Sequence, residues 1–380
     1  MKFTKLSLIA AIAVNSAFAG GDIEPVVAPV VEEVLSNTTI SGKLTGYYYT
    51  DDTVDLFDED SSALGTAVTL DVTHKFTDNI AMNFSAIGFA NVIDESYLME
   101  NEKSGAFINV ANITATFADT TVILGRQLLD TPMLGGFDWL LAPGAFEAYT
   151  AVNSSIENVT LVGSYVRTWR PNNSGDNFIN LTDIDDGNNW TLGAAYDNKT
   201  ISGSVWYYNV DAGAAAGNGV DKYGQVYIDA GYDFEVAKIQ AQYVNTNYDL
   251  ADDSDAYGAK ITGKLSAFSL MAAYVYVADN VVGYVGRDGL YTSSWNTLGA
   301  SQGDTFKVEA ATEFAGISAS ASYAYYEYEQ TANDEGSEID VILGYNITDA
   351  IDLNVVYTNT DYDDDASAIN ALEIYANYKF

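Results

Sequence analysis

From Asn37 to Phe380, apolar and polar residues change places at every second position, in one segment after another. Val68, Leu70, Val72 and Phe76 fall on one side of a segment, and Thr69, Asp71, Thr73 and Lys75 on the other. After the turn Thr77-Asp78-Asn79, Ile80, Met82, Phe84 and Ala86 share a side. Ile339, Val341, Leu343, Tyr345 and Ile347 repeat the pattern. Beyond Thr348-Asp349-Ala350, Ile351, Leu353, Val355 and Tyr357 oppose Asp352, Asn354 and Thr358. Successive side chains of a strand point to opposite faces, so these segments are strands with one apolar and one polar face. No long 3.6-residue period occurs, which leaves helices a minor part.

Two kinds of connection take turns between these segments. Tight ones include Ala118-Asp119-Thr120, Asp197-Asn198-Lys199 and Leu265-Ser266-Ala267; long acidic ones include Asp51 to Leu64, Leu128 to Ala145 and Asn280 to Gly303. Short and long in alternation mean up-and-down hairpins with one plain end and one elaborated end. The segments number about 18, an even count within the range of bacterial membrane barrels. Each supplies the roughly 9–11 residues that a spanning strand needs. The polar face mixes Thr, Ser, Asn, Gly and Tyr with a few charges, as a wet lumen would. A soluble barrel of this width would instead need an apolar core to fill it. The expectation is an all-β transmembrane antiparallel barrel over 37–380.

The two ends fit that reading. Lys2 and Lys5, the apolar run Leu6 to Val14 and Ala17-Phe18-Ala19 have the plan of a secretory signal peptide at 1–19. A leader at 20–36 would follow on the periplasmic side. The chain ends ALEIYANYKF, with Leu372, Ile374, Ala376, Tyr378 and Phe380 on one face and Glu373, Tyr375, Asn377 and Lys379 on the other. A barrel in lipid must close, because an open edge leaves N–H and C=O groups unpaired in hydrocarbon. The last strand, Ala368 to Phe380, should therefore pair with the first, Thr39 to Tyr49. Tyr378 and Phe380 would sit in an aromatic girdle. A terminal Phe after such a strand resembles the signal that the barrel assembly machinery reads in bacterial outer-membrane proteins, and both termini would lie in the periplasm.

Composition excludes several classes. The absence of cysteine rules out disulfides and thiolate metal sites. With 16 Lys and Arg against 53 Asp and Glu, removal of Lys2 and Lys5 would leave 14 − 53 = −39, which makes nucleic acid an unsuitable partner. The single histidine, His74, shares the lipid-side phase of Val72 and Phe76, and neither G-x-S-x-G nor H-E-x-x-H occurs. An outer-membrane hydrolase is thus a weaker reading than a channel. A structural or adhesive barrel with a blocked lumen is the other alternative.

Gly125-Arg126-Gln127-Leu128-Leu129-Asp130-Thr131-Pro132, followed by Leu141-Ala142-Pro143-Gly144-Ala145-Phe146-Glu147-Ala148, resembles the third-loop region of OprD-type porins and of the major outer membrane porins of Campylobacter-like bacteria. The resemblance implies an 18-stranded barrel, commonly trimeric, with the third loop folded into the lumen. OprD-type channels carry many pore arginines; this chain has four, at Arg126, Arg167, Arg170 and Arg287. Met133 to Leu141 is unusually apolar for an exposed loop, which suits a loop turned inward or one capping the mouth or a subunit contact. Inside, Asp130, Asp138 and Glu147 would face the constriction, with Arg126, Arg167 and Arg170 on the opposite wall; charged rings of this kind set selectivity. Arg167 and Arg170 could equally lie at the rim, against solvent or lipopolysaccharide. Asp51, Asp52, Asp55, Asp58, Glu59 and Asp60 form an oxygen-rich loop that suits Ca²⁺ or Mg²⁺, or simply a solvated one. No other cofactor is expected. The function expected is a porin passing ions and small hydrophilic solutes, with a preference for cations.

Overall fold

The computed structural model describes residues 37–93, 99, 102–136, 141–172, 174–175, 179–180, 188–211, 222–297, 299–328, 335–362 and 368–380. The expected signal peptide and leader, and Asp138, lie outside them. Eighteen long strands follow in order: β1 Thr38–Asp51, β2 Ser62–Lys75, β3 Ile80–Ile93, β4 Ser104–Phe117, β5 Thr120–Gln127, β6 Ala145–Asn153, β7 Val159–Arg170, β8 Asn189–Asp197, β9 Ile201–Val210, β10 Tyr223–Asp233, β11 Ala237–Tyr248, β12 Ser254–Leu265, β13 Phe268–Ala278, β14 Gly303–Phe314, β15 Ile317–Tyr328, β16 Glu335–Thr348, β17 Ile351–Tyr362 and β18 Ile369–Lys379. Each pairs antiparallel with its sequence neighbour, and β18 closes on β1 from Lys43↔Lys379 to Asp51↔Ala371. The strand count and the closing pair are those the sequence implies.

The seam runs to the final residue. Gly42 N donates to the Phe380 carbonyl at 2.8 Å, and Phe380 N donates to the Gly42 carbonyl at 3.0 Å. A Cβ on Gly42 would come within 2.4 Å of the Phe380 ring, so the absent side chain makes room for that ring. Tyr378 and Phe380 stack with centroids 6.1 Å apart.

Alternation now has a direction. Along β12, Tyr257 and Ile261 are about half exposed, whereas Ala256 and Lys260 are buried. The outward set carries two aromatic belts. Phe76, Phe117, Tyr232, Phe234, Phe314, Tyr345, Tyr378 and Phe380 lie exposed near the tight turns; Tyr149, Tyr207, Tyr257 and Phe306 lie exposed toward the long loops. Such girdles mark the two interfaces of a membrane. His74 belongs to the outward set and bonds Thr38 Oγ1 at 2.8 Å. Several tight turns are fixed by a side chain at their start: Thr77 Oγ1 accepts from Ile80 N, Asn198 Oδ1 from Ile201 N, and Thr348 Oγ1 from Ile351 N.

The inward set changes along each strand. At the loop end of β11, Thr246, Val244 and Gln242 are buried; toward the turn, Gln240 and Lys238 open up. In β12, β14 and β15 the same change runs from Ala256, Thr305 and Ala324, buried, to Lys264, Glu313 and Ser318, exposed. Something fills the loop half of the barrel and leaves the turn half open.

Candidate functional site: two loops inside the barrel

Two connections do the filling. The first joins β5 to β6 and covers 128–144. Met133, Leu134, Leu141 and Ala142 in it are almost fully buried. Tyr208 of β9 reaches across to it, its hydroxyl accepting from Met133 N at 3.3 Å. The loop thus lies inside the barrel, as its apolar content and the family resemblance imply. The second joins β13 to β14 and covers 279–302. Val282, Val285, Leu290, Tyr291 and Trp295 in it are buried against the inner wall.

The two loops touch. Gly135 N donates to the Val285 carbonyl, and Val285 N to the Met133 carbonyl, each at 3.0 Å. Gly286 sits at φ +78°, and a Cβ there would meet the Gly135 carbonyl oxygen at 2.1 Å, so only glycine permits this approach. Arg287 forms an ion pair with Asp130 at 3.3 Å. Burial raises the Asp130 carboxyl above its ordinary range, and the Arg287 charge pulls it partly back.

Charged wall residues hold the second loop from both sides. Lys260 lies 4.1 Å from the Tyr291 ring centre, and Lys307 Nζ donates to the Ser293 carbonyl at 2.7 Å. From the other side, Glu338 accepts from Asn296 N at 2.8 Å and from Thr297 Oγ1 at 2.5 Å. Glu373 accepts from Trp295 Nε1 at 2.6 Å, from Tyr47 at 3.1 Å and from Tyr375 at 2.5 Å. Within the loop, buried Asp288 accepts from Leu290 N at 3.1 Å and from the Ser293 hydroxyl. Burial pushes its carboxyl up to about 6, against the pull of those hydrogen bonds and of Arg287 and Lys307.

Against this geometry the expected site residues divide. Asp130 lies inside the barrel, at the contact of the two loops. Arg126 and Glu147 do not. Arg126 has the outward phase of Leu124, and Glu147 that of Tyr149, whereas Gln127, Phe146 and Ala148 beside them are buried inside. The two pair across the strands on the outer face, Arg126 Nε to Glu147 Oε1 at 3.0 Å. Arg167 is exposed on that face too, between buried Val166 and Thr168. Arg170 is inside but fully buried, which removes it from any water-filled wall. Its guanidinium donates to Asn109 Oδ1 at 3.0 Å, to the Ser174 carbonyl at 2.5 Å and to the Pro143 carbonyl, and lies 4.6 Å from the centre of the Phe107 ring. It ties the end of the first loop to β4.

The acidic loop after β1 engages its carboxylates locally. Asp58 accepts from Asp60 N at the start of a one-turn helix, Asp51 accepts from Thr53, and Asp52 accepts twice from Asn370. The Asn370 bonds hold the Asp52 carboxyl below the usual range. Among the described residues no three His, Cys, Asp or Glu side chains gather as a cation cage.

A closed 18-stranded antiparallel barrel with an apolar outer face and loops folded into its lumen defines the porin class of transmembrane fold. Within that class the fold is the OprD/Occ type. The chain superposes on Pseudomonas aeruginosa OccK3 (OpdO) with a TM-score of 0.74 at 15% identity, over 92% of this chain and 97% of that one. It matches P. aeruginosa OpdK, crystallised with vanillate, with a TM-score of 0.76 at 13% identity over 91% and 98%. Acinetobacter baumannii OccAB2 gives 0.76 at 15% identity over 92% and 99%. No known sequence family matches the chain, and no curated protein does.

Proposed function

We propose that this protein is an outer-membrane porin that passes ions and small hydrophilic solutes through a passage bounded by the two inward loops. The observation that carries the reading is the split of the lumen. The turn half is open and polar, with Lys43, Asp71, Asp229, Lys238 and Glu309 on its wall, and the loop half narrows where Asp130 meets Arg287. A wet polar interior inside an apolar outer face is what a diffusion channel requires. Cation preference is supported by the excess of 53 acidic over 16 basic residues, whose field concentrates cations at the mouths. The terminal aromatic strand supports recognition by the barrel assembly machinery with both ends in the periplasm. The likeness around Gly125–Gln127 supports a homotrimer.

Dense packing of the 279–302 loop favours a second reading, a barrel whose lumen is plugged. Conductance of the purified protein in planar bilayers separates the two. Discrete steps of stable conductance are expected; inserted protein without steps would leave the plugged barrel.

A further inference from the structure

Three residues read as pore residues lie together on the outside of the barrel. Arg126, Glu147 and Arg167 come from the loop ends of β5, β6 and β7. Arg126 and Glu147 follow the outward phase of Leu124 and Tyr149, and two local features border the group. Gly125 has φ +120°, and a Cβ on it would stand 2.4 Å from the Ala111 carbonyl oxygen, so only glycine allows the tight contact with β4 that precedes Arg126. In the neighbouring pair, Ala148 opposes Val166 while Glu147 opposes Thr168, so Arg167 is the extra residue of a β-bulge. Bulges re-aim side chains at barrel rims.

Height follows from register. Leu124 opposes Tyr149, and Tyr149 opposes Tyr165, whose rings stack at 6.3 Å and 15°. The charged trio sits one outward step from this aromatic pair toward the loops. Aromatic girdles lie at the headgroup level, so both guanidinium groups stand at or just beyond it.

Charge makes this unusual. The chain carries a formal net charge of −37, yet here two arginines flank one carboxylate. Arg126 is held in place by Glu147 and by its NH1 bond to the Ile108 carbonyl at 2.8 Å. A guanidinium fork matches a phosphate in both geometry and charge. One strand, β6, separates the arginines, so their backbones stand two strand spacings apart, roughly 10 Å. That span suits two phosphates of one head group.

We propose that Arg126 and Arg167 form an outward-facing site for the phosphomonoester head group of an outer-leaflet glycolipid, with Tyr149 and Tyr165 beneath its sugar. The proposal rests on the outer-membrane reading above, and the test keeps the two apart. Purified protein in detergent is titrated with bis-phosphorylated lipid A, with the same lipid stripped of phosphate, and with inorganic phosphate, by native mass spectrometry. Wild type should bind the phosphorylated lipid at least tenfold more tightly than the stripped lipid. The double variant Arg126→Gln, Arg167→Gln should lose that preference, while Lys222→Gln, elsewhere at the loop end, should keep it. Equal preference in the double variant and wild type would overturn the proposal. So would a preference lost for inorganic phosphate but kept for the lipid, which would mark a site for free anions. If the double variant does not fold, Arg167→Gln alone, exposed and outside any ion pair among the described residues, should weaken lipid binding several-fold, and no change would again overturn the site. Conductance is recorded on the same samples. A conducting barrel indifferent to lipid phosphate would sink this inference and leave the porin reading intact.

Discussion

Replacing Trp295 with alanine should loosen the second inward loop without opening the barrel. Trp295 is buried against Tyr47 and Tyr375 and donates to Glu373 at 2.6 Å. Truncating a buried Trp costs about 3–5 kcal/mol. Glu373 keeps its bonds from Tyr47 and Tyr375, so no stranded charge adds to that figure. At about 1.4 kcal/mol per factor of ten, the docked-to-undocked ratio near Trp295 falls by about two to three and a half orders of magnitude. Gln242, Lys260 and Lys307 still hold Tyr291 and Ser293, so the loop should open around Trp295 rather than leave the lumen. Single-channel records should then show larger or more frequent current fluctuations. Trp295→Phe, which keeps a ring and loses the N–H, should fall between. Heat-modifiable mobility on gels checks that the barrel is intact, since none of its strand pairs involves Trp295. Traces of Trp295→Ala indistinguishable from wild type, with the barrel folded, would refute the assignment of this loop to the passage.

The raised carboxyl of Asp288 gives a pH dependence with a definite sign. Its docked-state value of about 6 exceeds the ordinary 3.8, so docking is favoured fully below pH 4 and loses up to about 3 kcal/mol as pH rises through 6. Current fluctuations should therefore increase from pH 4 to pH 7, and Asp288→Asn should flatten that rise. At the seam, Gly42→Val would drive a branched side chain into the Phe380 ring and the Thr69 carbonyl, an overpacking cost of about 1–3 kcal/mol. Urea unfolding of the refolded barrel should show that loss, and deletion of Phe380 should show one of similar size through its two backbone hydrogen bonds.

The fold was legible because one physical demand repeats. A strand in lipid needs an apolar face, a wet lumen needs a polar one, and the alternation of β2, β3, β16 and β17 displays both. The first inward loop was legible for a related reason, as Met133 to Leu141 is too apolar to be left in water. The second loop carries the same signal in Val281-Val282, Leu290-Tyr291 and Trp295, but its length and Asp279 and Asp288 resemble the acidic connections around it. Its partners were not legible at all. Lys260, Lys307, Glu338 and Glu373 stand on four strands from 260 to 373, and only closure brings them around one loop. Arg126 and Glu147 keep the outward phase of Leu124 and Tyr149 and were misplaced because charges flanking an inward loop were read as turning inward with it; Arg167, the extra residue of a bulge, cannot be placed by counting twos. Arg170 failed because a strand end can turn its side chain inward to bind carbonyls, where a rim or a pore residue would meet water.

That partition of charges bears on selectivity. In the loop half, Lys260, Lys307, Glu338 and Glu373 are engaged in holding the 279–302 loop, and Asp130 is paired with Arg287. The open half carries both signs, Asp71, Asp229 and Glu309 with Lys43 and Lys238, and Lys379 is paired with Asp352 at 2.9 Å. Among the described residues neither region offers a ring of one sign. The cation preference proposed above would therefore come mainly from the acidic loops at the mouth, and such a field is screened by salt. Its reach is about 10 Å at 0.1 M and about 3 Å at 1 M. Reversal potentials across a salt gradient should then show a clear cation preference near 0.1 M that fades toward 1 M. Arg126→Gln, on the outer face, should leave the value at 1 M unchanged. A cation preference that persists undiminished at 1 M would mean that the passage runs past uncompensated carboxylates inside the barrel, and the balanced wall described here would not be the one that ions meet.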